Sequence, residues 1–259
     1  MCIATFVGFG DMNRMLQDMQ KLPGEGKLFE VEGCSAFLIS PENTDTRDWV
    51  WYAPTLPAYP DENERWLFER FVEAGLSVAG IDVGESHGNP EGRRIFGFLF
   101  GYLTEGLGYS HRPALLSRSR GGLMLYNWAA ENPTLVSCIA GIYPVCSLDS
   151  YPGTTDACKA YGMTEEELLG CLEDHNPVDR LEPLAGADVP IYHIHGDKDL
   201  VVPIEGNSGL LADRYKSLGG RVTLKVAEGE GHSLWPGFFQ DQDLVDFVIY
   251  HTRGGGRRV

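Results

Sequence analysis

From Lys27 onward the chain alternates short runs of β-branched and aromatic residues with longer amphipathic segments. The short runs have the length and composition of buried strands, and the longer ones repeat their apolar residues at helical spacing. A chain that alternates the two buries both kinds of apolar surface by laying helices against a largely parallel sheet. The expectation is therefore an α/β fold: a mostly parallel eight-stranded sheet with helices on both faces. The strands fall at Leu28–Val31 and Ala36–Ser40, a hairpin closed through Glu32–Ser35, then at Val50–Ala53, Ser77–Asp82, Ala114–Ser117, Val136–Tyr143, Ile191–His195 and Arg221–Ala227.

Helical segments lie between them at Glu62–Glu73, Ile95–Leu107, Gly121–Glu131, Thr164–Asp174, Glu205–Leu218 and Gln242–His251. Gly75 and Gly219–Gly220 follow two of these, where a helix ends most easily in a left-handed residue. Residues 144–189 break the alternation with Pro144, Pro152, Gly153, Gly162, Pro177, Pro183 and Pro190 at its close, and read as a small lid-like insertion carrying one helix. A further helix-like stretch runs from Asp11 to Gln20, and the glycine-rich, charged tail at 253–259 reads as flexible. The length, 259 residues, suits a single α/β domain over 1–259.

Apolar residues make up 43% of the chain, enough for a core. The 37 acidic against 21 basic residues leave a formal charge of −16. A field of that sign repels phosphate backbones and anionic lipid, so no nucleic-acid and no membrane partner is expected. The six cysteines form no C-x-x-C pair and no cysteine–histidine spacing of a zinc site, and free thiols are expected, with a Cys158–Cys171 bridge as the alternative. The first ten residues are apolar but lack a basic leader, and no apolar run approaches membrane-spanning length, which points to a soluble, cytoplasmic protein.

The stretch richest in chemistry is Pro113-Ala-Leu-Leu-Ser-Arg-Ser-Arg-Gly-Gly122, a short apolar strand that turns through small residues into a helix. Ser119 sits at the turn. A tight strand-to-helix turn pushes a hydroxyl clear of the backbone, and the N–H groups that open the helix face the same space. Ser117 and Gly121 are the small residues two before and two after it. Downstream, Ile191–His195 leads into His195-Gly-Asp-Lys-Asp-Leu-Val-Val-Pro203, and the last strand leads into Glu228-Gly-Glu-Gly-His-Ser233.

These segments resemble the α/β-hydrolase superfamily, whose nucleophile turn usually reads G-x-S-x-G; here Ser117 replaces the first glycine. The resemblance covers about residues 35–252 and implies a catalytic triad of Ser119, Asp199 and His232, in the superfamily's order Ser, Asp, His. It implies an oxyanion hole made by the backbone N–H of Arg120 and of Leu56, the latter in Ala53-Pro-Thr-Leu-Pro57 where the superfamily usually has H-G-x. Asp149 is the rival acid, since some members carry it after the sixth strand. Gly80–Gly92 resembles a loop that shapes the site in many of these hydrolases, and His87 reads as a polar loop residue.

Arg118 and Arg120, which flank the proposed nucleophile, have two readings: a clamp for a substrate carboxylate, or ion pairs with acids such as Glu85 or Asp149. Tyr151 and Trp235 are further candidate substrate contacts. The implied activity is that of a serine hydrolase, carboxylesterase-like, acting on a small-molecule ester through an acyl-enzyme, with neither metal nor organic cofactor. Peptidase or acyltransferase chemistry on the same fold, or a catalytically weak binding protein, are the alternatives, and oligomeric state is left open.

Overall fold

Eight strands form one sheet in the order β1-β2-β4-β3-β5-β6-β7-β8. They are β1 Glu25–Val31, β2 Cys34–Ser40, β3 Trp49–Ala53, β4 Ser77–Ile81, β5 Ala114–Arg118, β6 Cys138–Ile142, β7 Ile191–Gly196 and β8 Val222–Ala227. The computed structural model describes residues 25–42 and 45–255, so the expected helix at Asp11–Gln20, Cys2 and the tail residues 256–259 lie outside the described residues. Only β2 runs against its neighbours: it is antiparallel to β1 and to β4, and every other pairing is parallel. The β1–β2 hairpin turns on two residues, Glu32 and Gly33, both at positive φ, the backbone that matches strand twist.

Side chains alternate across each central strand. On β3, Trp49, Trp51 and Ala53 face one core while Val50 and Tyr52 face the other. The first core is closed by α2 Pro90–Gly101, α3 Gly121–Glu131 and α7 Ser208–Ser217; the second by α1 Arg65–Glu73 and α9 Gln242–Thr252. On α1 the buried residues are Leu67, Phe68, Phe71 and Val72, one stripe of the helix, and Gly75 follows it at φ 80. Burial of side chains of this size stabilises the fold by about 1.5–3 kcal/mol each.

α2 starts five residues before the expected Ile95, because Pro90 takes the first helical position and Asn89 caps the end by accepting from Gly92 N–H at 2.7 Å. It runs on as a wider turn over Tyr102–Gly106. The sixth strand is shorter than expected: Pro133–Leu135 forms a tight turn before it, and Tyr143 leaves it at φ 35.

The insertion differs from its expected single helix. Three short helices lie there, α4 Thr154–Tyr161, α5 Glu165–Gly170 and α6 Glu182–Gly186. In α4 only Ala157 and Cys158 are buried, so the segment has no apolar stripe to announce it. The middle of the insertion packs on the body through a small cluster of Leu148, Ala157, Cys158 and Leu168 against Leu123 and Val202, while Val178, Leu181, Leu184 and Val189 toward its end belong to the main core. Cys158 and Cys171 are both free thiols, which corrects the alternative of a bridge. Among the described residues no helix is long and apolar enough to cross a membrane.

After β3 the chain moves to one side of the sheet, to β4, and then returns to the other side through β5. Connections therefore diverge beyond the carboxyl ends of β3 and β5, and in open α/β sheets that crevice is where ligands bind.

Candidate active site

The turn after β5 is built by close backbone contact. A Cβ on Gly121 would stand 2.1 Å from the carbonyl oxygen of Ala53, and one on Gly122 would stand 2.3 Å from that of Val145. Both positions therefore need glycine, and together they press the start of α3 against the end of β3 and the strand exit of β6. Ser119, between strand and helix, sits at φ 49, a left-handed backbone that costs a non-glycine residue about 1–2 kcal/mol. Three hydrogen bonds hold it there: its N–H donates to Ile142 O at 3.0 Å, and its carbonyl accepts from Gly122 at 3.0 Å and Val145 at 2.8 Å. Ser117 replaces glycine without strain, because it is still in the strand and its hydroxyl donates to Ala140 O at 3.3 Å.

Two further loops meet this turn. β7 ends at Gly196, whose missing side chain admits Glu230 O to within 2.2 Å of the Cβ position. Asp197 accepts from Gly229 N–H at 2.6 Å, so the loop after β7 and the loop after β8 are tied together. The result is a continuous line of hydrogen bonds. Ser119 Oγ lies 3.0 Å from His232 Nε2, and His232 Nδ1 lies 2.7 Å from Asp199 Oδ2. The other oxygen of Asp199 accepts from the amides of Val201 at 3.0 Å and Val202 at 2.8 Å. Burial works to raise the Asp199 carboxyl, but hydrogen bonds from His195, His232 and Val202 outweigh it and hold it well below the usual carboxylate range. The His232 ring rests against Tyr143, with centroids 4.3 Å apart. Asp149, the rival acid, is exposed on the turn after β6; the acid that reaches His232 is Asp199.

Ser119 and His232 line a cavity of about 260 Å³ with Pro54, Tyr59, Arg118, Arg120, Tyr143, Tyr151, Val201, Ser233 and Leu234. Tyr151 thus lies where the sequence suggested. Trp235 does not: it packs edge-on against Phe238 and lines a separate surface groove beside Lys225 and Asp241.

Both arginines are committed to acids. Arg118 reaches Glu64 at 2.6 Å and Asp61 at 3.1 Å, with its guanidinium between the rings of Tyr59 and Phe239. Burial opposes its charge, but the Glu64 carboxylate and its neighbours more than offset this, so Arg118 is held firmly protonated. Arg120 pairs with Glu85 at 2.6 Å, as one of its two readings had it. The turn is therefore not locally basic: three carboxylates answer two guanidinium groups.

The loop after β3 requires a correction. Leu56 N–H donates to Tyr59 O at 3.1 Å, and Tyr59 N–H returns a bond to Leu56 O at 2.9 Å, so the Leu56 amide is taken. Leu56 is also absent from the lining of the cavity, to which this loop contributes Pro54, without an N–H, and Tyr59. The sequence reading missed Tyr59 and Glu64. An aromatic residue on the loop beyond a switch-point strand was the available sign for Tyr59; Glu64 carries none, since its role depends on a partner 54 residues away. No group of three or more metal-ligating side chains occurs among the described residues.

A family described as phospholipase/carboxylesterase matches residues 174–251, the part that carries Asp199 and His232 but not Ser119. Solved structures resemble most of the chain. The puromycin-hydrolysing peptidase of Mycobacterium tuberculosis superposes with a TM-score of 0.70 at 16% identity, over 90% of this chain and 41% of that one. S-formylglutathione hydrolase from Agrobacterium tumefaciens gives 0.66 at 16% identity, over 89% and 95% of the two chains. MPT51 of M. tuberculosis gives 0.70 at 14% identity, over 89% and 100%. The chain thus spans about two fifths of the peptidase. No curated protein sequence matches it significantly. Sheet order, strand directions and these likenesses agree: the chain has the fold of the α/β-hydrolase superfamily.

Proposed function

We propose that the protein is a serine hydrolase that cleaves a small carboxylic ester through an acyl-enzyme. The observation that carries this reading is the unbroken line from Ser119 Oγ to His232 Nε2 and from His232 Nδ1 to Asp199 Oδ2, at 3.0 Å and 2.7 Å. Serine's hydroxyl is a weak nucleophile at neutral pH. As Oγ forms its bond to the ester carbonyl carbon, its proton passes to His232 Nε2, and Asp199 stabilises the imidazolium while fixing the tautomer. The carbonyl π electrons move to oxygen. When they return, the bond to the leaving alkoxide breaks and His232 gives that oxygen its proton. Water then repeats the cycle on the acyl-serine, with His232 again as base.

The negative oxygen of each tetrahedral intermediate needs donors. The Arg120 N–H at the start of α3 supplies one, helped by the helix terminus. With the Leu56 amide engaged, we assign the second donor to the phenol O–H of Tyr59, a residue of the cavity wall whose oxygen also accepts from the Arg120 side chain. No metal or organic cofactor enters this scheme. The phospholipase/carboxylesterase match supports the ester reading, and the likeness to a puromycin-hydrolysing peptidase supports an amide substrate as the second reading.

Labelling with a fluorophosphonate and mapping of the modified peptide tests the proposal. Modification at Ser119, lost in Ser119→Ala and His232→Ala, is expected; a folded wild-type protein left unlabelled overturns it. Asp199→Asn should lower turnover by about 10⁴-fold through the wrong tautomer, while Asp149→Asn leaves it unchanged. Tyr59→Phe should cost about 10²–10³-fold, the effect of one oxyanion donor. Turnover of p-nitrophenyl esters against the matching anilides decides between ester and amide.

A further inference from the structure

Beyond Asp199 a second line of polar groups lies in a buried part of the protein. His193 and His195 alternate on β7 and so face the same way. Ser208, the first residue of α7, stands between them: its Oγ is 2.9 Å from His193 Nδ1 and 2.8 Å from His195 Nδ1. His193 Nε2 is 2.7 Å from the Tyr126 hydroxyl. His195 Nε2 is 2.8 Å from Val202 O and 3.4 Å from Asp199 Oδ2. His193, His195 and Ser208 have no exposed surface.

With both imidazoles neutral, only one placement of hydrogens satisfies this line. Val202 O can only accept, so His195 Nε2 carries the hydrogen and His195 Nδ1 is bare. Ser208 must spend its single hydrogen on that bare nitrogen. Its oxygen is then an acceptor toward His193, so His193 Nδ1 carries a hydrogen and His193 Nε2 accepts from Tyr126. The two histidines are opposite tautomers, fixed by one hydroxyl. Burial, with His195 close by, pushes the His193 imidazole down to about 3, consistent with a neutral ring.

We propose that Ser208 and His195 are positioning residues for the acid of the site: Ser208 locks His195 in the tautomer whose Nε2–H is donated to Val202 O and whose Nε2 stands 3.4 Å from Asp199 Oδ2, the same oxygen that binds His232. The assignment rests on the serine-hydrolase reading. Its chemical consequence lies in where the proton stays. When His232 becomes an imidazolium, Asp199 must remain a carboxylate, and a second N–H against Oδ2 lowers that oxygen's basicity and stops the carboxylate from rotating. Asp199 is thereby held on both oxygens: Oδ1 accepts from Val201 and Val202, the residue whose carbonyl His195 binds, and Oδ2 accepts from His232 with His195 Nε2 3.4 Å away. Neither Ser208 nor His195 lines the cavity, so the effect belongs to turnover and not to substrate binding.

Long-range hydrogen–nitrogen NMR correlation on the ¹⁵N-labelled wild-type protein reads the tautomers directly. A hydrogen on His195 Nε2 with bare Nδ1, and the reverse on His193, is expected; the opposite tautomer at His195 overturns the proposal. With p-nitrophenyl acetate, Ser208→Ala and His195→Leu should each lower kcat about tenfold, as for a hydrogen bond to a charged group, with KM within about twofold. His195→Gln, which keeps an N–H near the Nε2 position, should recover most of that loss. Wild-type kcat in both Ser208→Ala and His195→Leu also overturns it. The Nδ1–H resonance of His232 should move in Ser208→Ala, a readout that needs no turnover. If wild-type protein neither hydrolyses the ester nor reacts with the fluorophosphonate, the hydrolase reading fails by itself; an unmoved His232 resonance in Ser208→Ala then sinks the positioning role separately.

Discussion

The turn after β5 and the loop after β3 stand side by side at the same cavity and are held by opposite means. The turn is fixed by contact. Gly121 and Gly122 bring backbone against backbone, and Arg120, just before α3, lines the cavity. The loop is fixed by charge: Glu64, at its far end, accepts from Tyr52 and from the Asp61 amide and binds Arg118 of β5 at 2.6 Å. The Leu56 and Tyr59 amides are used in their own bridge, and Pro54 and Pro57 have none. A turn held by contact depends on residue size, whereas a loop held by an ion pair depends on a charge more than fifty positions away.

The comparison breaks most visibly at Glu64. Glu64→Gln should cost about 3–5 kcal/mol, since it leaves a buried guanidinium with only the half-exposed Asp61 as counter-charge. Denaturant melts of the variant read this directly, and a cost below about 1 kcal/mol would mean that the ion pair does not hold the loop. At the turn the cost is one of space. Gly121→Ala places a Cβ against Ala53 O, and a loss of about 1–3 kcal/mol is expected from the same melts. The displaced Ser119 should also react with fluorophosphonate about 100-fold more slowly. Ser117→Ala removes one buried hydrogen bond and leaves the small size intact, so about 1 kcal/mol should be lost with labelling unchanged.

Acid sharpens the contrast with the smallest effect. Burial alone would raise the Asp61 carboxyl, but hydrogen bonds from Asn63 and the Arg118 charge hold it below its ordinary value. A carboxyl lowered in the folded state adds stability above the unfolded value, about 3.9, and that part is lost as pH falls below it. The protection of amides in residues 57–64, corrected for the intrinsic exchange rate at each pH, should therefore fall between pH 5 and about pH 3 before that of Gly121 and Gly122, which backbone contact holds. Equal onset in both would contradict the division into charge and contact.

The same division explains what could be read in the chain. All eight strands were legible, because each is a short apolar run bounded by turn residues, and the sheet needs nothing subtler. Ser119, Gly121 and Gly122 were legible because their backbone geometry tolerates few residue types. Asp199 and His232 stood in equally marked loops. The engagement of the Leu56 amide was not legible, since any residue except proline has an N–H, and sequence cannot say which N–H is already taken. Arg118 was misjudged in part for the same reason: its partners, Asp61 and Glu64, lie more than fifty positions away and belong to no pattern. α4 escaped notice because a short helix with two buried residues has no periodicity. The line from Tyr126 to Asp199 was half visible, as two histidines on one strand face, but the serine that joins them comes from another element.

Of the residues around the cavity, Tyr151 alone comes from the stretch 144–189. Val145 still braces the turn at Ser119, and Cys146 and Ser147 are bound through their amides to Asn207 Oδ1. Beyond Ser147 the stretch reaches the cavity at Tyr151, and its end is anchored in the main core by Val178, Leu181, Leu184 and Val189. Its middle, residues 149–174, is thus the exchangeable part: a different cap spliced there, with an apolar patch to cover Leu123 and Val202, would change which molecules are admitted and leave the core beneath it intact.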